Sequence, residues 1–488
     1  MGLLRTSKRL HLSGTIWQSL GIFCPLSLLA LFGSNPAEAS LTCFATSDPP
    51  PGSVLSCVAI GPRSEVKRSF RLPPGAAILP GSPPTMGTEW TSWIDLGRRF
   101  YSRGVQSSLS CVNTHEAQFD CFGVSAEGFL LATYHARYAI PSIRSQWLRL
   151  GDAPADGTYS STVPISGDPS CLAASTGPTV RCFVKSNGGE LSLYSYQLIG
   201  GTERQDVSRR QEGRWVWIGT PRAGYTTLAS LRTSPSCIAV GEDAWCFGGT
   251  SVGLIYRRLP RALGRQLISP GSIIENLRGP WRTVRWSSLG DPRVLPTKLK
   301  CVSTRVGGLY RERNGSGATE IACFFPNSGS TNLAIFNTTP TRPDDVDGLS
   351  YEIIDAPSLA PGVQECSYAS DGVLTCFSNR TTDMASPGLR AVTFPVNYRP
   401  GSSELRTWSL GGAGRPSVIS CAQTLLRGRP TLDCIASEVG IRSRMTNLRM
   451  DRGEWAVVTD SIPGSPGGPA PSGEFQLCDP MRLARGEC

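Results

Sequence analysis

The chain has 488 residues, 40% hydrophobic and only 18% charged, with 53 Gly, 38 Pro and 17 Cys. That balance excludes a disordered chain, a coiled coil and a polytopic membrane protein, and it favours short strands and turns. The net charge of +10 comes almost entirely from Arg, with no Lys/Arg run of the kind that marks a nucleic-acid face.

In chain order, the first feature is Arg5, Lys8 and Arg9 ahead of an apolar run, Gly21 to Phe32. Ala37-Glu38-Ala39 follows as a small-x-small cleavage site, so residues 1–39 are expected to be a signal peptide. Cleavage removes Cys24 and leaves sixteen cysteines, an even number in an exported chain. After cleavage no segment is expected to span a membrane, and the location expected is extracellular or periplasmic.

The sixteen cysteines recur in close pairs: 43/57, 111/121, 171/182, 237/246, 301/323, 366/376, 421/434 and 478/488. First members follow one another at 68, 60, 66, 64, 65, 55 and 57 residues, the mark of an internal repeat. Ser precedes the first cysteine at Ser110, Ser170, Ser236 and Ser420. Phe follows the second at Phe122, Phe183, Phe247, Phe324 and Phe377. An alternating strand comes next, and a Trp strand closes the unit at Trp93, Trp147, Trp286 and Trp408. Trp217 and Trp455 are expected at the same place in degenerate copies, with Tyr351 substituting in the fifth.

Each unit therefore reads as four short strands, and seven such units predict an all-β, seven-bladed β-propeller with four-stranded antiparallel blades. A ring of blades leaves only short, protected sheet edges. Cysteines on adjacent antiparallel strands fall within bonding reach, which predicts intrablade disulfides Cys43–Cys57, Cys111–Cys121, Cys171–Cys182, Cys237–Cys246, Cys301–Cys323, Cys366–Cys376 and Cys421–Cys434. Each such loop is worth roughly 3 kcal/mol in chain entropy. Cys478–Cys488 is the preferred last pair, with a bond from this pair to Cys43 or Cys57 left open. The propeller is expected to span 40–488, with 463–473 a flexible connector and 474–488 a closing half-unit.

The residues Trp90-Thr91-Ser92-Trp93-Ile94-Asp95-Leu96-Gly97, Ser110-Cys111, Asp120-Cys121-Phe122 and Gly128-Phe129-Leu130 resemble the PLL-like β-propeller repeat. That resemblance covers nearly all of 40–488. It implies seven blades and binding of fucose or O-methylated sugars in pockets between blades. The stretch Cys366 to Phe377 also resembles secreted copies of the regulator-of-chromosome-condensation repeat, another seven-bladed propeller. The Trp-x-x-Leu-Gly segments favour the lectin-like family. The chain departs from that family where a Trp commonly follows the Leu of the third strand, since Tyr134-His135, Tyr194, Tyr196 and Tyr256 stand there instead.

A sugar site needs an aromatic plate for the C–H face and planar polar groups for hydroxyls. Candidates are Trp90, Tyr134, Arg137, Tyr194, Tyr196, Trp215, Tyr256 and Arg257, set against the ordinary use of large aromatics as packing between sheets. An enzyme is the weaker expectation. Cleavage leaves two histidines, His115 and His135, and no Gly-x-Ser-x-Gly elbow accompanies them. Asp344-Asp345-Val346-Asp347-Gly348 lacks the later bidentate Glu of a calcium loop, and Cys-x-x-Cys is absent, so no metal or cofactor is expected. Asn314, Asn337 and Asn379 head acceptor sequons, relevant only in a glycosylating host. The expected partners are glycans or glycoproteins. The alternative is an extracellular protein-interaction propeller without sugar binding, and a hydrolase on the same ring comes third.

Overall fold

The computed structural model describes 32 β-strands and the short stretches adjoining them, all within residues 41–458. By compactness the chain divides into residues 1–36 and residues 37–488, and all described residues belong to the second unit. The expected signal peptide, connector and closing half-unit lie outside the described residues, as does the Cys478–Cys488 pair.

The described strands form seven four-stranded antiparallel sheets, each made of four consecutive strands. The first holds Leu41–Thr46, Val54–Ile60, Val66–Phe70 and Ile94–Asp95. The second holds Ser110–His115, Gln118–Val124, Leu130–Ala136 and Leu148–Gly151. In the third are Ile165–Ala173, Thr179–Ser186, Leu191–Gln197 and Arg214–Gly219. The fourth runs Ser236–Val240, Asp243–Thr250, Gly253–Leu259 and Arg282–Thr283. The fifth comprises Lys300–Ser303, Glu320–Pro326, Thr331–Asn337 and Ser350–Ala356. Val363–Tyr368, Leu374–Asn379, Leu389–Phe394 and Arg406–Leu410 make the sixth. Pro416–Leu426, Arg429–Glu438, Met445–Asp451 and Glu454–Val458 make the seventh. Two short hairpins, Ala153–Pro154 with Thr162–Val163 and Arg222–Ala223 with Thr226–Thr227, complete the set.

Seven disulfides tie first strand to second, one per sheet. In every case the register sets the two cysteines directly opposite, with Cα atoms 4.0–4.1 Å apart. The longest loop, between Cys301 and Cys323, obeys the same register despite a separation of 22 residues.

Side chains alternate across each strand, so every sheet has two apolar faces. Neighbouring faces merge into cores. Phe183, Leu191 and Val216 of the third sheet pack on Cys246, Ile255 and Leu259 of the fourth. Each further core likewise joins consecutive sheets, and one joins Ala422 and Ile435 of the seventh to Leu55, Cys57 and Ala59 of the first. The sheets thus follow one another around a cycle, with their first strands side by side, in the arrangement of a β-propeller.

The Ser before the first cysteine is what links those first strands. An edge strand carries N–H groups without a ladder partner. Here the Cys171 N–H donates to Ser110 Oγ (3.0 Å), Cys237 to Ser170 (2.8 Å), and Cys301 to Ser236 (2.8 Å). Cys43 of the first sheet donates to Ser420 Oγ of the seventh (2.8 Å), which brings the cycle round. Lys300 and Glu365 occupy the same position in the fifth and sixth sheets. An ammonium cannot accept a hydrogen bond. The Glu365 carboxylate instead takes the Cys366 N–H and pairs with Lys300. The double replacement keeps the junction satisfied.

Register corrects one expectation. Trp215 stands opposite Tyr194, which stands opposite Cys182, whereas Trp217 stands opposite Ser192. Trp408 pairs with Ala391, and Trp455 with Met450. Trp217, Trp408 and Trp455 thus stand at three different levels of their sheets rather than at one equivalent place. In the fourth sheet the described outer strand is Arg282–Thr283, and Trp286 lies outside the described residues.

Candidate functional site

The junction between the second and third sheets gathers the richest set of candidate residues. Tyr194, Tyr196 and Trp215 share the face of the third sheet turned to the second, together with Val180, Cys182 and Val184. Tyr194 (7% exposed) and Tyr196 (4%) are buried in that core, and Trp215 is half-buried at its margin. Phe122, Tyr196, Tyr194 and Trp215 make a chain of tilted rings. Centroids are 6.2 Å apart for Phe122–Tyr196 and Tyr194–Tyr196, and 5.1 Å for Tyr194–Trp215. Tilted geometries at these distances suit aromatic quadrupoles.

Both ends of the ring chain are tethered. The Tyr196 hydroxyl donates to Asp120 Oδ2 of the second sheet, a carboxylate with no exposed surface. The Trp215 indole N–H donates to the Leu150 carbonyl at 2.9 Å. Gly151, the next residue, has φ +100°, a left-handed conformation that favours glycine, and it lies beside the same indole nitrogen. Beyond it Asp152 accepts from Thr162 Oγ1 (3.3 Å) and from Arg149 Nη2 (3.5 Å). The Arg149 guanidinium lies 3.5 Å from the Phe129 ring centroid. The Ala153–Pro154/Thr162–Val163 hairpin leans on the outer strands of the third sheet beside Trp215. The aromatic margin at Trp215 is therefore followed along the chain by Asp152, bonded to the Thr162 hydroxyl, while Arg149 turns to Phe129 on the other face of the second sheet.

Tyr256 and Arg257 sit elsewhere. Tyr256 (6% exposed) fills the core between the fourth and fifth sheets, its ring 6.2 Å from those of Trp245 and Phe247. Arg257 (5% exposed) stands between Ile255 and Leu259, on the face toward the third sheet. The two candidates point into different junctions and form no common site. Tyr134 lies within the strand Leu130–Ala136, opposite Asp120, and its side chain is outside the described residues. Trp90 and Arg137 are also outside them.

Two participants escaped the sequence reading, Asp120 and Gly213. Asp120 immediately precedes a second cysteine, and the same Asp-Cys pair recurs at Asp433-Cys434. There, too, the carboxylate reaches the neighbouring sheet. Arg71 of the first sheet forks onto Asp433 at 3.1 and 3.2 Å, and Arg449 adds a bond at 2.8 Å. Burial works to raise the Asp433 carboxyl, but Arg71, Arg449 and the Thr424 hydroxyl outweigh it and hold it below the usual carboxylate range. A repeated Asp-Cys was the available signal. Gly213 gave none, because its importance lies in the ring that passes over it.

No protein-family model matches the chain, and no curated protein matches it. Among solved structures, a lectin from Burkholderia pseudomallei aligns over 87% of this chain and 99% of its own, with 13% identity and a TM-score of 0.49. AofleA from Arthrobotrys oligospora aligns over 73% and 86%, with 10% identity and a TM-score of 0.40. A six-bladed fucose-recognising lectin from Aleuria aurantia aligns over 88% and 98%, with 10% identity and a TM-score of 0.40. Scores of this size leave the fold and the site to be judged on the chain's own residues.

Among the described residues no group of His, Cys, Asp or Glu is arranged to hold a metal ion, and no helix is long and apolar enough to cross a membrane. What the second–third junction offers chemically is stacking and hydrogen bonding.

Proposed function

We propose that the protein is an exported, non-catalytic glycan-binding propeller in which each of the seven four-stranded sheets is one blade. The sugar is taken at the margin of the second–third junction, with its C–H face on Trp215. One observation carries the reading. Trp215 is the one candidate among the described side chains that is held rigidly yet remains half-exposed. Stacking on such a plate stabilises an apolar sugar face, while Asp152 and Thr162, just beyond Gly151, supply polar groups for hydroxyls. The repeat's resemblance to PLL-like lectins supports the same choice and points to fucosylated or O-methylated sugars.

The test is a glycan array of the disulfide-intact protein, run beside Trp215→Ala. Binding to neutral, fucosylated or methylated glycans that disappears in the variant supports the reading. Silence across the array contradicts it. A second reading, a protein-interaction propeller without sugar binding, is favoured by the burial of Tyr194, Tyr196, Tyr256 and Arg257, which removes four of the eight candidate plates and polar groups from open surface. Capture of one defined extracellular protein by an array-silent sample would support it.

A further inference from the structure

We infer that Asp120, Tyr196 and Tyr194 are positioning residues that act through one another to fix Trp215 as a sugar platform. The inference rests on the glycan-binding reading above and names the device behind it. Tyr194 and Tyr196 are too deeply buried to meet a sugar ring themselves. They nevertheless form a continuous path from an anchored carboxylate to a half-exposed indole.

The path crosses the junction, which gives it leverage over the site. Asp120 belongs to the second sheet, and both tyrosines and Trp215 belong to the third. The Leu150 carbonyl that holds the indole N–H is again second-sheet backbone. The pair Asp120–Tyr196 and the pair Trp215–Leu150 therefore pin the two sheets together on either side of Tyr194. A carboxylate without exposed surface accepts a phenolic hydrogen strongly, because little water competes for it. Tyr196 is thereby set in one place, Tyr194 leans on it, and Trp215 leans on Tyr194.

Gly213 completes the device. A Cβ built on Gly213 would overlap the hydroxyl and the ring of Tyr194. The backbone of the outer strand must therefore pass beneath the phenol, one residue before Arg214–Gly219 begins, and only glycine leaves room. Substitution there displaces Tyr194 without touching any exposed surface of Trp215.

The experiment measures affinity for the best array glycan by calorimetry, together with thermal midpoint and near-ultraviolet circular dichroism. Tyr196→Phe keeps the ring and deletes the bond to Asp120, and Gly213→Ala displaces Tyr194. Thr250→Ala serves as a stability control. It removes a buried hydroxyl bonded to Gly253 O at 3.0 Å in the fourth sheet, remote from the junction. Tyr196→Phe is expected to weaken affinity about fivefold, the size of one lost buried hydrogen bond. Both junction variants are expected to lose part of the dichroism from the coupled Tyr194 and Trp215 rings, and Thr250→Ala to alter neither. Unchanged affinity in both junction variants, with binding abolished by Trp215→Ala, overturns the positioning role and leaves the site standing. Undiminished binding by Trp215→Ala overturns the site and the inference together.

Discussion

Glu365 shows how much one position can carry. Burial raises its carboxyl above the usual carboxylate range, and Lys300, half-exposed, pulls the other way without cancelling that rise. An acid whose folded pKa is raised stabilises the fold most at low pH. That contribution is present below the unfolded pKa and fades as pH climbs through the folded one. Glu365→Gln keeps an acceptor for the Cys366 N–H and removes the titration. Thermal midpoints of this variant are expected to fall less than those of the parent from the ordinary carboxylate range upward, and parallel curves would contradict the assignment. Asp433 has the opposite sign. Its lowered pKa contributes stability that is present above the unfolded value and lost as pH falls through the folded one. Asp433→Asn is expected to destabilise the protein at neutral pH, by a few kcal/mol, because it removes the carboxylate that the buried Arg71 and Arg449 share. Chemical denaturation at neutral pH measures that loss, and an unchanged stability would contradict the role given to the pair.

At the scale of strands, the cysteine spacing and its flanking residues made the hairpins legible. Cys43 and Cys57, like each later described pair, face one another because the antiparallel register sets them directly opposite on adjacent strands. The Ser before Cys111, Cys171, Cys237 and Cys421 was visible as a motif, but its purpose was not. It serves the next sheet's edge N–H some 65 residues away, a contact that no local pattern encodes. The closing tryptophans were misaligned for a related reason. Trp215 stands as far before Gly219 as Trp147 stands before Gly151, and both sheets shift register at that glycine, so Trp215 rather than Trp217 is the counterpart of Trp147. Half of the candidate site was readable as aromatic residues, while the choice between buried and exposed needed the facing sheet. Ser170→Ala tests the link between strands, because Ser170 both accepts from the Cys237 N–H and donates to its carbonyl. A loss of about 1–2 kcal/mol is expected, with hydrogen exchange rising at Cys237 ahead of residues elsewhere in that strand. Protection unchanged at Cys237 would contradict the proposed link.

The described residues form a set of small cores rather than one large one, which is how so long a stretch of chain avoids a single oversized interior. Among the described residues, the first and seventh sheets are each built of four consecutive strands. Ser420 with Cys43, Asp433 with Arg71, and the shared apolar core hold the seam between them. Disulfides stiffen each sheet internally and leave the junctions to side chains, so variation between junctions is where function can differ from copy to copy. The central claim is that a seven-sheet ring of this kind presents Trp215 as a sugar platform between its second and third sheets. A crystal structure of the disulfide-intact protein with its array-selected sugar tests it most directly. The expected result is seven blades and a sugar stacked on Trp215, with Tyr196 bonded to Asp120 beneath. A sugar seated at another junction, or a ring of a different blade number, would contradict it.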